Sequence, residues 1–303
     1  MVEWRKRGVI YAPDGAGRHP KLASHAANPV AVHLEGDVFR VFYSGRDAHN
    51  RSSVGAVDVD IVAGRVVRDH PEPVIAHGPP GSYYADGISI GCVHETAAAR
   101  HILFMGWQVA GVAHWRGDIG RLRLTDDLRL LAEDTAPFLG AAPHDPVSLS
   151  YPWVEKTGTG YTMWYGSTWT WDAGNDEMIH VINHATSADG ETWQRRGLAV
   201  PMEIGRAQAF SRPTVLIHAD GRHDMWFSVR AGGGDRYRIG RARSADGAAW
   251  TLDPAGAGIA PSAEGWDSDM IEYPFVFRHD GRAYMLYNGN GHGRTGFGLA
   301  EAA

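Results

Sequence analysis

A pattern of short apolar strands separated by polar turns recurs along the chain. In each copy a polar lead-in meets a proline or a small residue, and then comes an apolar strand, a turn, and a second strand rich in Tyr, Trp and Met. Helical periodicity is nearly absent, which favours an all-β chain. The five copies are NPVAVHLEGDVFRVFYSG (28–45), DGISIGCVHETAAARHILFMGW (86–107), YPWVEKTGTGYTMWYGS (151–167), RPTVLIHADGRHDMWFS (212–228) and YPFVFRHDGRAYMLYNG (273–289).

The spacing of these copies predicts the architecture. We take Pro29, Gly87, Pro152, Pro213 and Pro274 as anchors, and they are 58, 65, 61 and 61 residues apart. Strand repeats of this length are typical of β-propellers. The sequence therefore predicts one all-β domain over 1–303, a five-bladed β-propeller of four-stranded antiparallel blades. The predicted blades cover approximately 28–80, 86–140, 150–203, 211–260 and 270–303.

The last copy lacks a fourth strand, because the chain ends after TGFGLAEAA. The segment WRKRGVIYAP (4–13) is similar to WQRRGLAVPM (193–202), which occupies the fourth-strand position of the third copy. We expect residues 3–12 to complete the fifth blade, which would close the ring and pair its open edge.

A second recurring feature is an apolar residue followed by glycine in the third strand of four copies. The third copy has Ile179-His180 at the position that we align with these pairs, so His180 stands where the other copies have glycine. The pairs are Val54-Gly55, Ile119-Gly120, Ile239-Gly240 and Phe297-Gly298.

Composition excludes several classes of function. The 303 residues carry a formal charge of -6 with mixed signs, so no basic face for nucleic acid is indicated. No apolar run approaches the length of a membrane span, and the N-terminus shows no apolar signal-peptide core. Cys92 is the single cysteine, which excludes an intramolecular disulfide. We expect a cytoplasmic protein without nucleic-acid or membrane partners.

The topology of a propeller predicts where its site lies. The first strand of each blade starts at the same end of the channel at which the second strand finishes. Polar and aromatic side chains at those points should therefore surround one concavity. The predicted binding residues are His25, Asn28, Arg46, Asp47, Arg51, Trp107, Tyr151, Trp169, Trp171, His180, Arg212, Arg230, Tyr273, Asn288 and Asn290.

The chemistry of this set suggests a carbohydrate. Carboxylates act as acid, base or nucleophile on an acetal, and tryptophan faces cover the apolar face of a sugar. We expect Asp86 and Glu272 to be the catalytic acid/base pair, with Asp267 as a further candidate, and Arg212 and Arg230 to bind an anionic group. Histidine spacing shows no metal motif, and we expect neither a metal nor a cofactor.

The phrases FSRPTVL, MWFSVR, YRIGRARSADGAAW and GWDSDMIEYPFVFRHDGRAYMLYNGNGHGRTGFGLA (265–300) resemble the five-bladed propeller glycosidases. That group includes glycoside hydrolase families 32, 43, 62 and 130. The chain looks closest to an uncharacterised subgroup associated with bacterial polysaccharide or sugar-metabolite gene clusters. The resemblance covers nearly the whole chain and implies a propeller that cleaves or transfers glycosidic bonds.

The chain departs from the pattern of these families, which place three carboxylates at the axis. The first copy has Asn28 instead of an acid, the second has Asp86, and Glu272 precedes Tyr-Pro in the fifth. Three alternatives therefore stand beside a hydrolase of a small sugar, either neutral or anionic. They are a glycoside phosphorylase, a sugar isomerase, cyclase or lyase of a biosynthetic pathway, and a non-catalytic sugar-binding propeller.

Overall fold

Antiparallel strands make up nearly all of the regular structure. The structure is a computed structural model that describes residues 2–13, 17–109 and 114–303. Strands account for 57% and helix for 3%, which confirms the expected nearly all-β class. Within the described residues, no helix is long and apolar enough to cross a membrane.

The strands form four-stranded units, which we number along the chain. Strand β1 covers Trp4–Tyr11. Unit 1 contains β2 (Ser24–Glu35), β3 (Val38–Arg46), β4 (Ser52–Asp60) and β5 (Arg65–Ile75). Unit 2 contains β6 (Gly87–Glu95), β7 (Arg100–Val109), β8 (Trp115–Leu124) and β9 (Leu130–Leu131). Unit 3 contains β10 (Ser148–Thr157), β11 (Gly160–Thr170), β12 (Ile179–Ser187) and β13 (Gln194–Leu198).

The remaining strands continue this order. Unit 4 contains β14 (Ala209–Ile217), β15 (His223–Arg230), β16 (Arg238–Ser244) and β17 (Trp250–Leu252). Unit 5 contains β18 (Glu272–His279), β19 (Arg282–Asn288) and β20 (Phe297–Ala302), with a short helical segment α1 (Asn290–Gly293) between the last two. Two 3-10 turns cover Pro20–Leu22 and Pro254–Ala257.

Strand β1 belongs to unit 5 although it comes first in the chain. It pairs antiparallel with β20, from Trp4 opposite Ala302 to Tyr11 opposite Phe297, and the sheet order is β1-β20-β19-β18. Trp4 packs edge-on against Trp226 of unit 4, with ring centroids 5.5 Å apart. The two ends of the chain are therefore held together by one sheet.

The first strand of each unit contacts the first strands of its neighbours. Strand β2 contacts β6 and β18, β10 contacts β6 and β14, and β14 also contacts β18. These strands are almost fully buried because residues of adjacent units cover both of their faces. Apolar runs such as Pro29–Val32 reflect this burial.

Each first strand contains a β-bulge, and the bulges correct one of our anchors. In β10 the register shifts between Ser150 and Trp153, so that Tyr151 and Pro152 together face one residue of β11. The corresponding shifts in β14 and β18 involve Pro213 and Pro274. In β6 the shift lies between Ile90 and Cys92, which makes Gly91, and not Gly87, the equivalent of the prolines.

With Gly91 as the anchor of unit 2, the spacings become 62, 61, 61 and 61 residues. The chain uses glycine there because a Cβ would lie 2.9 Å from the Cδ of Pro152 in the next unit. Asp86 consequently lies five residues before the true anchor. The residues equivalent to Glu272 are Ala27, Ser89, Ser150 and Ser211.

The residue before each of the four anchor prolines adopts a left-handed backbone. The φ angles are 55° for Asn28, 33° for Tyr151, 52° for Arg212 and 52° for Tyr273. Such angles are uncommon for residues other than glycine, and they persist only where the surroundings hold them. The bulges thus turn four side chains toward the region where the first strands meet.

The strand register also corrects the position assigned to His180. Gly55, Gly120, Gly240 and Gly298 pair with an aromatic residue of the second strand, and Asn183 pairs with the corresponding Tyr165. Asn183 is therefore the residue that replaces glycine. His180 comes three residues earlier, opposite Thr168 at the end of β11.

Candidate functional site

A cavity of about 410 Å³ lies where the first strands begin and the second strands end. All five units contribute to its wall, which includes no carboxylate among the described residues. The lining residues are Arg46, Asn50, Ser89, Met105, Trp107, Val109, Trp115, Ser150, Tyr151, Met178, His180, Ser211, Arg230, Tyr237, Tyr273 and His292. Six of the predicted binding residues therefore line one concavity: Arg46, Trp107, Tyr151, His180, Arg230 and Tyr273.

A buried carboxylate lies directly behind one part of this wall. Glu272 is fully buried, and its Oε1 lies 3.0 Å from Nδ1 of His292, which lines the cavity. Burial raises the pKa of Glu272, and His292, Arg230 and Arg46 oppose that rise. His292 itself has a left-handed φ of 58° within α1. Glu272 can thus exchange a proton with the cavity through His292.

Basic residues gather around this pair. His25 is half-buried beside Arg46, Arg294 and His292, and its burial together with these neighbours lowers its pKa to about 4. Arg46 donates to Oδ1 of Asn50 at 2.8 Å. Within the part of the chain that the structure describes, no carboxylate lies within ion-pair distance of Arg46. Its charge is therefore available to an anion in the cavity.

The second arginine of the wall is already neutralised. Arg230 lies 2.6 Å from Oε2 of Glu177, and its guanidinium stacks on the ring of Tyr237 at 4.6 Å. Glu177 is buried behind Arg230. The Arg230–Glu177 pair therefore carries little net charge, and Arg230 offers the cavity hydrogen-bond donors rather than a free positive charge.

A histidine between two hydroxyls occupies the part of the wall that unit 3 contributes. Nε2 of His180 lies 2.7 Å from Oγ of Ser150, and Nδ1 lies 2.7 Å from Oγ1 of Thr168. The ring is buried, and burial together with the nearby Arg230 lowers its pKa to about 4. His180 is therefore neutral near pH 7.

Aromatic side chains form another part of the wall. Trp107 lines the cavity and donates from Nε1 to Ser52 at 3.0 Å. Trp115 also lines the cavity, and Trp171 supports it edge-on at 4.8 Å while stacking on His114. Trp169 is 40% exposed and lies outside the lining. Trp115, and not Trp169, provides the second indole surface.

None of the three proposed catalytic carboxylates lines the cavity, and two of them, unlike Glu272, also lack a contact with a lining histidine. Asp86 is partly exposed and accepts a hydrogen bond from the backbone N–H of Val109 at 2.7 Å, because the corrected register places it before β6. Asp267 is 1% exposed and bonded to Lys6 Nζ at 2.6 Å and to the Tyr287 hydroxyl at 3.0 Å. Asp267 fastens β1 to unit 5.

Arg212 also differs from expectation. It is fully buried and donates to the carbonyl oxygens of Tyr273 at 2.8 Å, Pro29 at 2.7 Å and Gly91 at 3.4 Å. Burial lowers its pKa to about 9, so the guanidinium stays charged at neutral pH. Its donors are used by backbone carbonyls of three other units, and it does not line the cavity.

The remaining predicted residues take part in hydrogen bonds that hold the backbone in place. Asn288 accepts from the N–H of Asn28 at 2.8 Å, donates to the carbonyls of Ala26 and Gly296, and is fully buried. Asp47 accepts from Arg51 through both backbone and side chain, which closes the turn after β3. Asn290 accepts from the backbone N–H of Asp269 and of Met270. None of these five residues lines the cavity.

Three lining residues at the starts of third strands were not predicted from the sequence. Trp115 starts β8, Met178 directly precedes β12, and Tyr237 directly precedes β16. The start of a third strand lies beside the end of the second strand, so the rule used for the first two strands would have found these residues. Ser89 was missed because the anchor of unit 2 was misplaced.

In the part of the chain that the structure describes, histidines do not gather into a metal-binding group at the cavity. Among the described residues, the group with metal-ligand geometry is Asp37, His279 and Asp280. It lies in the turns between β2 and β3 and between β18 and β19. Nε2 of His279 is 2.8 Å from Oδ1 of Asp37, a contact that joins units 1 and 5.

Solved structures show which class of fold this is. A glycoside hydrolase superposes with a TM-score of 0.73 at 17% identity over 99% of this chain and 92% of that chain. The endo-arabinase from Bacteroides thetaiotaomicron VPI-5482 gives 0.64 at 13% identity over 94% and 96%. The Bombyx mori GH32 beta-fructofuranosidase gives 0.67 at 11% identity over 95% and 64%. The chain has the nearly all-β fold of glycoside-hydrolase-type propellers.

Sequence comparison identifies the family. No family model matches the chain. It is 42% identical over 301 residues to the uncharacterized protein Rv1502 of Mycobacterium tuberculosis (strain ATCC 25618 / H37Rv), covering 99% of both chains. The uncharacterized protein MT1551 of M. tuberculosis (strain CDC 1551 / Oshkosh) matches with the same identity and coverage. The chain belongs to the family of these two mycobacterial proteins.

Proposed function

We propose that this protein is a carbohydrate-active enzyme built as one five-bladed propeller domain. The units would be its blades, and the pairing of β1 with β20 would close the ring. The mutual contacts of β2, β6, β10, β14 and β18 support a closed order, because each of these first strands contacts two others of the set. A closed ring leaves one central cavity for the substrate.

The substrate that fits the cavity is a small sugar with an anionic group. Trp107 and Trp115 offer aromatic surfaces for the apolar face of a pyranose or furanose ring. Arg46 offers positive charge for a carboxylate or phosphate, because its guanidinium is paired with the amide of Asn50 and with no carboxylate among the described residues. The volume of about 410 Å³ suits a compact ligand better than an extended polymer.

The reaction that we assign is cleavage or transfer of a glycosidic bond. The observation that carries this assignment is the contact of 3.0 Å between Glu272 and His292, a buried carboxylate linked to a cavity-facing imidazole. Water or an acceptor hydroxyl would attack the anomeric carbon while the bond to the leaving oxygen breaks and His292 protonates that oxygen. The proton lost by the attacking oxygen would return to the Glu272–His292 pair. The raised pKa of Glu272 favours its protonated form, which suits a proton donor.

Phosphorolysis is a second candidate, supported by the composition of the wall. A hydrolase of the usual kind needs two carboxylates at the reacting bond, whereas the described lining contains none and only Glu272 lies behind it, bonded to the lining His292. A single proton donor combined with Arg46 would suffice where inorganic phosphate is the nucleophile. Phosphate would then attack the anomeric carbon while the leaving oxygen takes the proton.

Glu272→Gln is the variant that tests the assignment. We expect turnover of a cleaved glycoside to fall about 10²- to 10⁴-fold, the usual contribution of acid/base catalysis. The assay measures sugar release from a panel of neutral, uronic and phosphorylated glycosides, with and without inorganic phosphate. Asp267→Asn is the matched control, a buried carboxylate outside the cavity, and should lower the melting temperature without lowering turnover per folded molecule.

The outcomes separate the candidates. Full turnover in Glu272→Gln would remove that carboxylate from the mechanism. Release of a sugar phosphate that depends on phosphate would identify a phosphorylase. A product of unchanged mass would indicate isomerisation or cyclisation, and binding by calorimetry without turnover would indicate a sugar-binding protein.

A further inference from the structure

Ser150 differs from the other serines at its position in the repeat. Ser89, Ser150 and Ser211 occupy the same place in units 2, 3 and 4, two residues before the anchor, and all three line the cavity. In the described part of the chain only Ser150 among them contacts a histidine, with 2.7 Å between its Oγ and Nε2 of His180. The repeat therefore supplies the serine, and unit 3 alone adds the imidazole.

The space for this pair is created by a glycine. A Cβ on Gly166, which pairs with Ser150 across the sheet, would lie 2.1 Å from Oγ of Ser150 and 2.4 Å from Nε2 of His180. The equivalent residues of units 1, 4 and 5 are Ser44, Ser228 and Asn288, which use their side chains to accept a backbone N–H of the next unit, whereas unit 2 has Met105 there. Unit 3 lacks that contact and holds the Ser150–His180 pair in its place.

Thr168 is the third group of the arrangement, and it orients the imidazole of His180. Nδ1 of His180 lies 2.7 Å from Oγ1 of Thr168, which is fully buried. When Nδ1 donates its proton to Thr168, Nε2 presents a lone pair to the hydroxyl of Ser150. A nucleophile bonded to a base, and a base bonded to an orienting group, are the parts of a serine acyl-transfer site.

We propose that Ser150 is a nucleophile activated by His180, and that the cavity hydrolyses a carboxylic ester of a small alcohol such as an acylated sugar. Oγ of Ser150 attacks the ester carbonyl while its proton passes to Nε2 of His180. The bond from the carbonyl carbon to the alcohol oxygen breaks, and His180 returns the proton to that oxygen. Water then attacks the acyl-serine through the same base, which releases the acid and restores Ser150.

This activity goes beyond the proposed glycosidic function. It requires the cavity and the Ser150–His180 pair, and it does not require Glu272. Failure of the serine chemistry therefore leaves the assignment of Glu272 intact, and the reverse also holds.

Covalent labelling of the wild-type protein is the first test. Phenylmethylsulfonyl fluoride is incubated with the full chain, and the adduct is located by intact mass and peptide mapping. We expect one sulfonyl adduct on Ser150. Absence of an adduct on Ser150 under conditions that label a control serine hydrolase overturns the proposal, as does an adduct confined to another serine.

Hydrolysis of p-nitrophenyl acetate is the second test. Ser150→Ala should abolish the enzyme-dependent rate, and His180→Gln should lower it about 10²- to 10⁴-fold because the general base is lost. Ser211→Ala is the matched control, since it removes a lining serine at the same repeat position that lacks a histidine, and labelling at Ser150 should persist. Equal rates in the wild type and in a folded Ser150→Ala protein overturn the proposal.

Discussion

At the scale of single residues, the structure contains a neutral imidazole where a charged one would be costly. His180 is enclosed by Ser150, Thr168 and the wall of the cavity, with the cationic Arg230 nearby. Removing water from a group disfavours its charged form, so the proton that the unfolded chain binds is not bound by the folded one.

This difference predicts a loss of stability in mild acid. The pKa of His180 falls from 6.5 in the unfolded chain to about 4 in the fold. Below pH 6.5 the unfolded state gains a proton that the folded state does not, so the free energy of unfolding decreases as the pH falls to about 4. Over that interval His180 accounts for about 3 kcal/mol. Urea unfolding at several pH values measures it.

His180→Gln separates this residue from the other histidines. Burial also lowers the pKa of His25, His94, His101, His184 and His223, which adds contributions of the same sign, and it raises the pKa of Glu155 and Glu272, which contribute with the opposite sign. Glutamine keeps polar contacts but does not titrate, and the variant should lose less stability between pH 6.5 and pH 4. An identical slope in both proteins would contradict the assigned pKa.

At the scale of elements, close contacts between adjacent strands decide which side chains fit. Gly166→Ala introduces a methyl group within the Ser150–His180 contact, and we expect a loss of about 1–3 kcal/mol of stability from overpacking. The same change should abolish labelling of Ser150.

Gly158→Ala is the control, because nothing lies within 4 Å of its Cβ, and it should change stability by less than about 0.5 kcal/mol. Thermal unfolding and labelling test both variants, and unchanged labelling in Gly166→Ala would show that the pair tolerates the displacement.

The sequence predicted the strands better than it predicted their register. Alternating runs and Asp-Gly turns are local signals, and they located the first and second strands of each unit. Gly87 and Gly91 lie in one apolar run, and the choice between them depends on a bulge formed against β7 and on the approach of Pro152 from another unit. Ile179-His180 was misaligned with the glycine pairs for the same reason.

The site was predicted in part, for a similar physical reason. Arg46, Trp107 and Arg230 were found because they occupy equivalent places at the ends of second strands. Arg212 in β14 and Asn288 at the end of β19 were predicted by the same rule. Their side chains instead donate to buried carbonyls, a role that depends on contacts between distant units. Sequence position indicates which end of a strand a residue occupies, but not which partner takes its hydrogen bonds.

At the scale of the whole molecule, β1 is a structural necessity for unit 5. Removing residues 1–12 exposes the edge of β20, takes Trp4 away from Trp226, and leaves the buried Asp267 without Lys6. Losing one partner of a buried pair alone costs about 3–5 kcal/mol. We expect the truncated protein to lose cooperative unfolding, measured by circular dichroism and calorimetry.

Lys6→Met measures what the Lys6–Asp267 ion pair contributes to the stabilisation by β1, since it keeps β1 and removes the charge beside Asp267. It should lower the melting temperature less than the truncation does. A truncated protein that melts like the full chain would contradict the role of β1.

Arg212 has a consequence for how similar repeats find their places during folding. One guanidinium in unit 4 binds carbonyls of units 5, 1 and 2, which lie 61, 183 and 121 residues away along the chain. Units of such similar sequence could dock in a wrong order while burying comparable apolar surface. A misordered arrangement would leave this cation enclosed without its acceptors. Arg212 therefore favours the native order of the units, because only that order places all three carbonyl acceptors around its guanidinium.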